Sequence, residues 1–158
     1  MNQQNLNTSE VRAEQAASKK LRTLKLGLDI HADSIMVVRI LDHSGPQPAQ
    51  KFTPVKFVAW VKTQLKLATE VHSCYEAGPF GYGLHRALVA LGVRNLVVQP
   101  VCLDERHTGV NHDKSDAREL AQRLDRYVAG NRHALATVRV PTPEEEQKRA
   151  ASRQREQL

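Results

Sequence analysis

Residues 21–42 read LRTLKLGLDIHADSIMVVRILD, and this stretch decides the fold. Leucine or isoleucine occupies every second position from Leu24 to Ile30, which is the alternation of a β-strand with one buried face. A second run rich in β-branched residues, SIMVVRILD, follows almost at once. The HADS segment that joins the two runs is short enough for a hairpin. The sequence therefore predicts two antiparallel strands at the start of the folded part.

Helices and strands alternate after this hairpin. SGPQPAQ has the composition of a turn, and the KF that follows it is a candidate third strand. Thr53 and Pro54 are typical of the N-cap and the first position of a helix. Further strands are predicted in EVHSCYEAG and RNLVVQP, and further helices in PFGYGLHRALVALGV and SDARELAQRLDRYVAG. This order predicts an α/β fold in which a mixed sheet is flanked by helices.

The two ends of the chain differ in composition from its middle. Residues 1–22 are polar and charged, and we expect a mobile polar arm there. The folded domain is expected over residues 23–140. Residues 141–158 begin with a capping box from Thr142 to Glu145 but contain almost no apolar side chain. We expect a polar C-terminal helix there, which forms the start of a helical connector.

The composition restricts the classes of function. The 158 residues carry a net charge of +6, which is compatible with binding of nucleic acid or another polyanion. Cys74 and Cys102 are too few and too far apart for a disulfide framework or a zinc site. No apolar run is long enough to cross a bilayer, and the N-terminus lacks the apolar core of a signal peptide. We therefore expect a cytoplasmic protein that has no membrane partner.

Two aspartates stand three residues apart at the start of the predicted third helix, in NHDKSDAREL (residues 111–120). Such a pair is most often a capping box. A helical wheel adds a second interpretation, because Asp113 and Asp116 project from the same side as the apolar stripe. That stripe consists of Ala117, Leu120, Ala121, Leu124, Tyr127 and Val128. Acids that face a sheet require compensation, and a bound cation provides it.

Two further acids have positions of functional interest. Glu76 ends an apolar strand just before a glycine-rich turn, and ligands bind beyond the carboxyl ends of strands in α/β sheets. Asp29 lies inside an apolar strand, where aspartate is rarely found without a partner. Glu76 alone also has an ordinary explanation, as an exposed acid at a strand end. Because oxygen-only ligands select hard cations, the four acids together predict a Mg²⁺ or Mn²⁺ site.

Other motifs carry weaker signals. The G-x-x-G-x-G spacing of GPFGYG (residues 78–83) is not that of a dinucleotide-binding loop, so we predict a tight turn and no organic cofactor. The histidines show no metal-ligand spacing, and His112 beside Asp113 is the one that is placed for proton transfer or phosphate contact. Four arginines suit either a DNA backbone or a solvated helix face, and the second interpretation is favoured. They are Arg118, Arg123, Arg126 and Arg132.

Three motifs give the chain a family resemblance. LGLDIHADS, YEAGPFGYGLHRAL and DKSDARELAQRLDRYVAGN occur in the order of a first-strand aspartate, a glutamate with its glycine turn, and a D-x-x-D-A helix. From about Leu24 to Leu158 the chain thereby resembles the N-terminal domain of the DEDD transposases of the insertion-sequence 110 family. The resemblance implies a RuvC-like, ribonuclease-H-type fold. It also implies that the metal-binding catalytic acids are Asp29, Glu76, Asp113 and Asp116.

The resemblance has further implications for activity and partners. It implies DNA cleavage and strand exchange in the transposition of an insertion sequence. It implies action as a homo-oligomer, which we expect to form through the helical connector. It also implies a partnership with an element-encoded guide RNA that bridges target and donor DNA.

Two departures from the family pattern bear on function. Family members usually have Lys-Thr where this chain has Asn111 and His112. They also carry a second catalytic domain, with a serine used in strand exchange, after a long helical connection. This chain ends inside that connection, so we expect the C-terminal transposase domain to be absent.

Two alternative functions stay open. The first is a truncated, catalytically silent module that binds nucleic acid or dimerises. The second is a phosphotransferase of the actin-like type, which shares the fold and a first-strand aspartate. It ranks last, because DIHADS lacks the glycine-rich phosphate turn that such an enzyme has after its first strand.

Overall fold

The structure, a computed structural model, describes residues 20–100 and 113–157, without the side chains of residues 113–115. Within these ranges the strands are β1 (Leu21–Ile30), β2 (Ile35–Leu41), β3 (Gln50–Phe52), β4 (Ala68–Glu76) and β5 (Arg94–Val98). The helices are α1 (Pro54–Gln64), α2 (Gly83–Leu91), α3 (Asp113–Val128) and α4 (Pro143–Glu156). Most of the predicted N-terminal arm, and His112, lie outside the described residues.

The strands form one mixed sheet in the order β3-β2-β1-β4-β5. β1 and β2 pair antiparallel, with Gly27 opposite Val38, whereas β1, β4 and β5 run parallel. The predicted hairpin, the short third strand and the βα units are confirmed. The chain is therefore an α/β protein with a mixed sheet of five strands flanked by helices.

One face of β1 carries the larger apolar core. Leu24, Leu26 and Leu28 are fully buried and pack in one cluster with Phe57 of α1 and Leu88 of α2. Burial of each such side chain contributes about 1.5–3 kcal/mol. The alternation of leucines that predicts β1 is therefore also what holds α1 and α2 on this face of the sheet.

The other face of β1 packs against α3 at very short range. A Cβ atom on Gly27 would lie 2.2 Å from the carbonyl oxygen of Ala117 and 2.3 Å from the amide nitrogen of Ala121. Both alanines are fully buried. Since the atoms that a side chain would meet are helix backbone, only glycine permits this approach.

An ion pair between a buried lysine and a partly exposed aspartate joins the other end of α3 to β1. The side chain of Lys25 is 3% exposed, and its Nζ lies 2.9 Å from Oδ1 of Asp125. The same ammonium group donates a hydrogen bond to the carbonyl oxygen of Asp42. A buried charge without a partner is strongly destabilising. The pair therefore fixes the direction in which α3 crosses the sheet.

The apolar stripe predicted for α3 is confirmed. Its buried members have at most 4% of their surface exposed, and they are Ala117, Leu120, Ala121 and Leu124. Tyr127 and Val128 are partly buried against the same cluster. Gly130, with a φ of 120°, follows the end of the helix as the sequence predicts.

The predicted start of α2 is wrong, whereas the tight turn predicted for residues 78–83 is confirmed. The helix begins at Gly83 rather than near Pro79, because residues 79–82 form a turn in which Gly81 has a φ of 72°. The sequence predicts an apolar stripe of Leu84, Ala87, Leu88 and Leu91 for this helix, but Ala87 is exposed. The core side of this helix carries only Leu84, Leu88 and Leu91, because residues three or four positions apart lie on the same side of a helix.

The C-terminal helix α4 is polar on every side. Its predicted capping box is confirmed, since the Thr142 side chain accepts a hydrogen bond from the Glu145 amide and the Glu145 side chain accepts one from the Thr142 amide. No residue of α4 is buried. Arg86 of α2 contacts its first turn through Glu146 Oε2 at 2.8 Å. Among the described helices, none has the length and apolar character needed to cross a bilayer.

Three polar side chains form a hydrogen-bonded chain between β4, β5 and α2. Ser73 Oγ donates to Asn95 Oδ1 at 2.6 Å, and Asn95 Nδ2 lies 2.9 Å from His85 Nδ1. A neutral imidazole can accept this second bond, whereas an imidazolium cannot. Burial lowers the pKa of His85 below its usual value, and it does the same for His72 on β4. Both histidines are therefore weaker bases in the folded chain than in the unfolded chain.

We expect Gly27→Ala to lower the free energy of unfolding by about 3 kcal/mol or more, because its new methyl group collides with helix backbone. Gly45→Ala is the matched control, since a Cβ atom there would meet nothing within 4 Å. Its effect should stay within about 0.5 kcal/mol. Urea unfolding measures both values. A loss in Gly27→Ala no larger than in the control would show that α3 moves away from β1 easily.

We expect the free energy of unfolding to fall as the pH decreases through about 6.5, the usual histidine pKa. The pKa of His72 and of His85 is lower in the folded chain than in the unfolded chain, so the unfolded chain binds protons first. This stabilising contribution is complete above the unfolded pKa and is lost below it. Urea unfolding at several pH values tests the expectation. The double variant His72→Gln, His85→Gln should show a flatter dependence, and an unchanged slope would contradict the assignment.

Candidate functional site

Three of the four predicted site acids line one cleft. The cleft has a volume of about 170 Å³ and lies at the carboxyl ends of β1 and β4. Its acidic lining residues are Asp29 in β1, Glu76 at the end of β4 and Asp116 in the first turn of α3. Asp113 begins the same helix, but its side chain lies outside the described part of the structure. Two strands and the start of one helix thus bring the three acids together.

The parallel register of β1 and β4 brings Asp29 and Glu76 side by side. The last residue pair in this register is Leu28 with Tyr75. Asp29 and Glu76 are the next residues of the two adjacent strands, so they lie at the same level of the sheet. Adjacent strands lie about 4.8 Å apart. Because Asp29 follows Gly27 by two positions, it projects from the face that carries α3. Asp116 reaches the same place because it precedes Ala117, which rests on Gly27.

The three acids differ in exposure. The side chain of Asp29 is 18% exposed. Glu76 and Asp116 are both exposed residues at the mouth of the cleft. Asp116 therefore projects toward the cleft as the helical wheel predicts, but it is not buried there. The reason is its place in the first turn of α3, before the helix residues that rest on the sheet.

His31 restrains the orientation of Asp29. Its Nε2 atom lies 3.1 Å from Oδ2 of Asp29. His31 follows Asp29 by two positions, just beyond the end of β1, so both side chains leave the sheet on the same face. A contact at one carboxylate oxygen limits rotation of the whole group, which is what a positioned ligand or catalytic acid requires.

Negative charge accumulates in the cleft. Burial raises the pKa of the Glu76 carboxyl above its usual value, and the charges of Asp116 and Asp29 raise it further. The Arg123 guanidinium acts in the opposite direction. Its Nε donates a hydrogen bond to the Ala134 carbonyl oxygen at 3.1 Å, which holds that positive charge at the flank. Like charges at close range disfavour ionisation, so a proton or an added cation would relieve the repulsion.

The donors in the cleft are of the chemical type that fits a hard divalent cation. All three acids offer carboxylate oxygen atoms, which Mg²⁺ and Mn²⁺ prefer. A volume of about 170 Å³ accommodates ions with a few waters. It is smaller than the roughly 300–1,000 Å³ typical of pockets for organic ligands. The cleft is therefore too small to enclose a nucleotide.

The distances between the donors limit this fit. Among the described side chains, which do not include that of Asp113, no three His, Cys, Asp or Glu lie close enough together to hold a metal ion. Ionised carboxylates repel one another. We therefore expect these acids to draw together only when a cation compensates their charge.

The sequence alone does not indicate two features of the cleft. Phe80 lines it and is 55% exposed, although its segment predicts only a turn. The sequence predicts that Arg123 belongs to a solvated helix face. In the structure it is only partly exposed, and its charge lowers the pKa of Glu76. Both features depend on contacts between separate elements, so no local pattern carries them.

Comparison with known proteins gives the cleft a biological context. No known family profile matches the chain. The chain is similar to a protein of Leptospira borgpetersenii named "Transposase for insertion sequence element IS1533". The two are 33% identical over 106 residues, and this aligned stretch is 64% of this chain and 30% of that protein. The chain is also similar to "Putative transposase y4rJ" of Sinorhizobium fredii (strain NBRC 101917 / NGR234). Here the identity is 40% over 85 residues, and the aligned stretch is 52% of this chain and 22% of that protein. Both relatives carry the name of a transposase, and the matched part is less than a third of either.

We expect Glu76→Gln to raise the melting temperature at pH 7 in the absence of divalent cations. The pKa of Glu76 is raised in the folded chain, so its ionised form is destabilising there and the neutral amide relieves the repulsion. The effect should shrink as added salt screens the neighbouring charges. Asp33→Asn is the matched control, because Asp33 is an exposed acid that does not line the cleft. A melting temperature of Glu76→Gln at or below that of the control would contradict the repulsion.

Proposed function

We propose that this chain is the RuvC-like catalytic domain of an insertion-sequence transposase and cleaves DNA in a metal-dependent reaction. The observation that carries this proposal is the single cleft lined by Asp29, Glu76 and Asp116. The similarity to two proteins named transposases supports the biological setting. An antiparallel hairpin followed by parallel βα units agrees with the ribonuclease-H-type fold that the resemblance implies.

In this proposal the acids of the cleft hold Mg²⁺ or Mn²⁺. Asp29, Glu76 and Asp116 supply carboxylate oxygens, and Asp113 is a further ligand or orients the attacking water. When bound, such ions activate water and stabilise the leaving oxygen in phosphodiester displacement. His31 keeps the Asp29 carboxylate in one orientation, through the contact of 3.1 Å. Arg123 balances part of the charge beside Glu76.

The proposed substrate, DNA, requires positive charge outside the acidic cleft. The net charge of +6 provides it for the chain as a whole. On α3, Arg118 and Arg126 are exposed and are available for phosphate contacts. Arg132 instead lies over the Tyr127 ring, 4.5 Å from its centre, which favours a structural role for that arginine.

Three further parts of the proposal rest on the resemblance alone. The first is an element-encoded guide RNA that bridges target and donor DNA. The second is a homo-oligomer formed through the helical connector, of which α4 would be the beginning. The third is the need for the C-terminal transposase domain of the family to complete strand exchange.

A catalytically silent module that binds nucleic acid or dimerises is the second candidate function. One observation favours it. Among the described side chains, no three potential ligands lie close enough together to hold a metal ion.

We expect Asp29→Asn and Asp116→Asn each to slow Mg²⁺- or Mn²⁺-dependent DNA cleavage by at least about 100-fold. Metal-ion catalysis contributes several kcal/mol, and about 1.4 kcal/mol corresponds to a factor of ten. The conversion of supercoiled to nicked plasmid measures the rate. Asp33→Asn is the control for a lost surface charge and should retain the wild-type rate.

The same assay separates the two candidate functions. Wild-type cleavage by either cleft variant would reject the proposed site. A wild-type chain that does not cleave DNA in either metal, but binds it with an affinity that falls steeply with salt, would be the silent module.

A further inference from the structure

Phe80 is an exposed aromatic ring at the edge of the carboxylate cleft. Four large apolar side chains are exposed among the described residues, and they are Val55, Leu67, Phe80 and Val89. Phe80 is the aromatic one of the four and is 55% exposed. It also lines the cleft together with Asp29, Glu76 and Asp116, whereas the other three do not. An exposed ring is thus placed where the proposed substrate must bind.

The loop that carries Phe80 is anchored on both sides. The Tyr75 hydroxyl accepts a hydrogen bond from the His85 backbone amide at 3.2 Å and donates one to the Gly81 carbonyl oxygen at 3.5 Å. The Gly81 amide in turn donates to the Gly78 carbonyl oxygen at 3.4 Å. A ring on a loop held in this way loses little conformational entropy when a ligand covers it.

The surroundings of Phe80 favour a nucleobase over other ligands. Phenylalanine offers neither charge nor a hydrogen bond, so the ring itself attracts neither a phosphate nor a sugar hydroxyl. A nucleobase needs only the face of the ring, because stacking on an aromatic side chain tolerates any base. A single ring flanked by proline and glycine is also far smaller than the patches of several hundred Å² that mark protein interfaces.

The stacking geometry also restricts the form of the nucleic acid. In a continuous duplex each base is covered by its neighbours, so its faces are not available to a protein side chain. An unpaired base, or one displaced from the stack, exposes such a face at low energetic cost. The ring therefore suits a substrate that has an unpaired base at this point.

We propose that Phe80 is a stacking platform for an unpaired nucleobase beside the phosphodiester that occupies the cleft. This assignment rests on the proposed function and adds the substrate class to it. Nucleic acid with an unpaired base at the cleavage point is bound in preference to continuous duplex. Phe80 determines this preference, while the acids of the cleft perform the chemistry.

A duplex with one unpaired 2-aminopurine tests the proposal, because stacking quenches the fluorescence of this base. In the presence of EDTA, the wild-type chain should quench the fluorescence and bind about 5- to 150-fold more tightly than Phe80→Ala. Phe80→Trp should restore both the quenching and the affinity. Binding to a fully paired duplex should be the same for all three proteins, since phosphate contacts dominate there.

Val89→Ala is the matched control, since it truncates an exposed apolar side chain on α2 that does not line the cleft. It should bind both DNA forms as the wild-type chain does. Equal affinity of Phe80→Ala and wild type for the unpaired-base duplex would overturn the stacking platform and leave the proposed function intact. An equal loss on both DNA forms would also overturn it, because the ring would then lack selectivity. A wild-type chain that binds neither form would overturn the proposed function and the platform together.

Discussion

The close approach of α3 to β1 at Gly27 is the contact on which the cleft depends. A Cβ atom at Gly27 would lie 2.2 Å from the Ala117 carbonyl oxygen, so helix backbone rests directly on the strand. Asp116 precedes Ala117, and Asp29 follows Gly27 on the same face, so this one contact determines how near the two acids come. The ion pair of the buried Lys25 with Asp125 holds the other end of the helix. With both ends fixed, α3 has one direction across the sheet.

The secondary structure is largely predictable because its signals are local. The alternation from Leu24 to Ile30, the cap at Thr53 and the left-handed glycine at Gly92 each act within a few residues, and the structure has all three. The start of α2 lies where the sequence predicts both a tight turn, at residues 78–83, and a helix, and the structure has the turn. The Tyr75 hydroxyl accepts the amide hydrogen of His85 and so holds the first turn of the helix that follows. Helix propensities depend on neighbouring residues in the sequence, so they cannot include a hydrogen bond from a side chain of β4.

Two acids of the cleft can be singled out from the sequence because each conflicts with its local context. Asp29 interrupts an apolar strand, and Asp116 shares the side of an apolar stripe. Their meeting point depends on strand register and helix direction, which are set by residues far apart in the chain. Arg123 looks like any solvated arginine until the fold brings its charge to Glu76. Gly27 does carry a local signal, because a glycine between two buried leucines is typical of a close backbone contact.

The charges of the cleft oppose the stability of the fold, and this opposition has a functional meaning. Burial and the neighbouring acids raise the pKa of Glu76, so the ionised cluster destabilises the folded chain. Arg123 offsets only part of this effect, since its guanidinium is held at the flank by the Ala134 carbonyl. A structural role would favour neutral or paired side chains at this edge of the sheet. Acids that line one cleft despite their repulsion, beside a glycine contact that brings the strand and the helix together, are what we expect of a site that a positively charged ligand would complete.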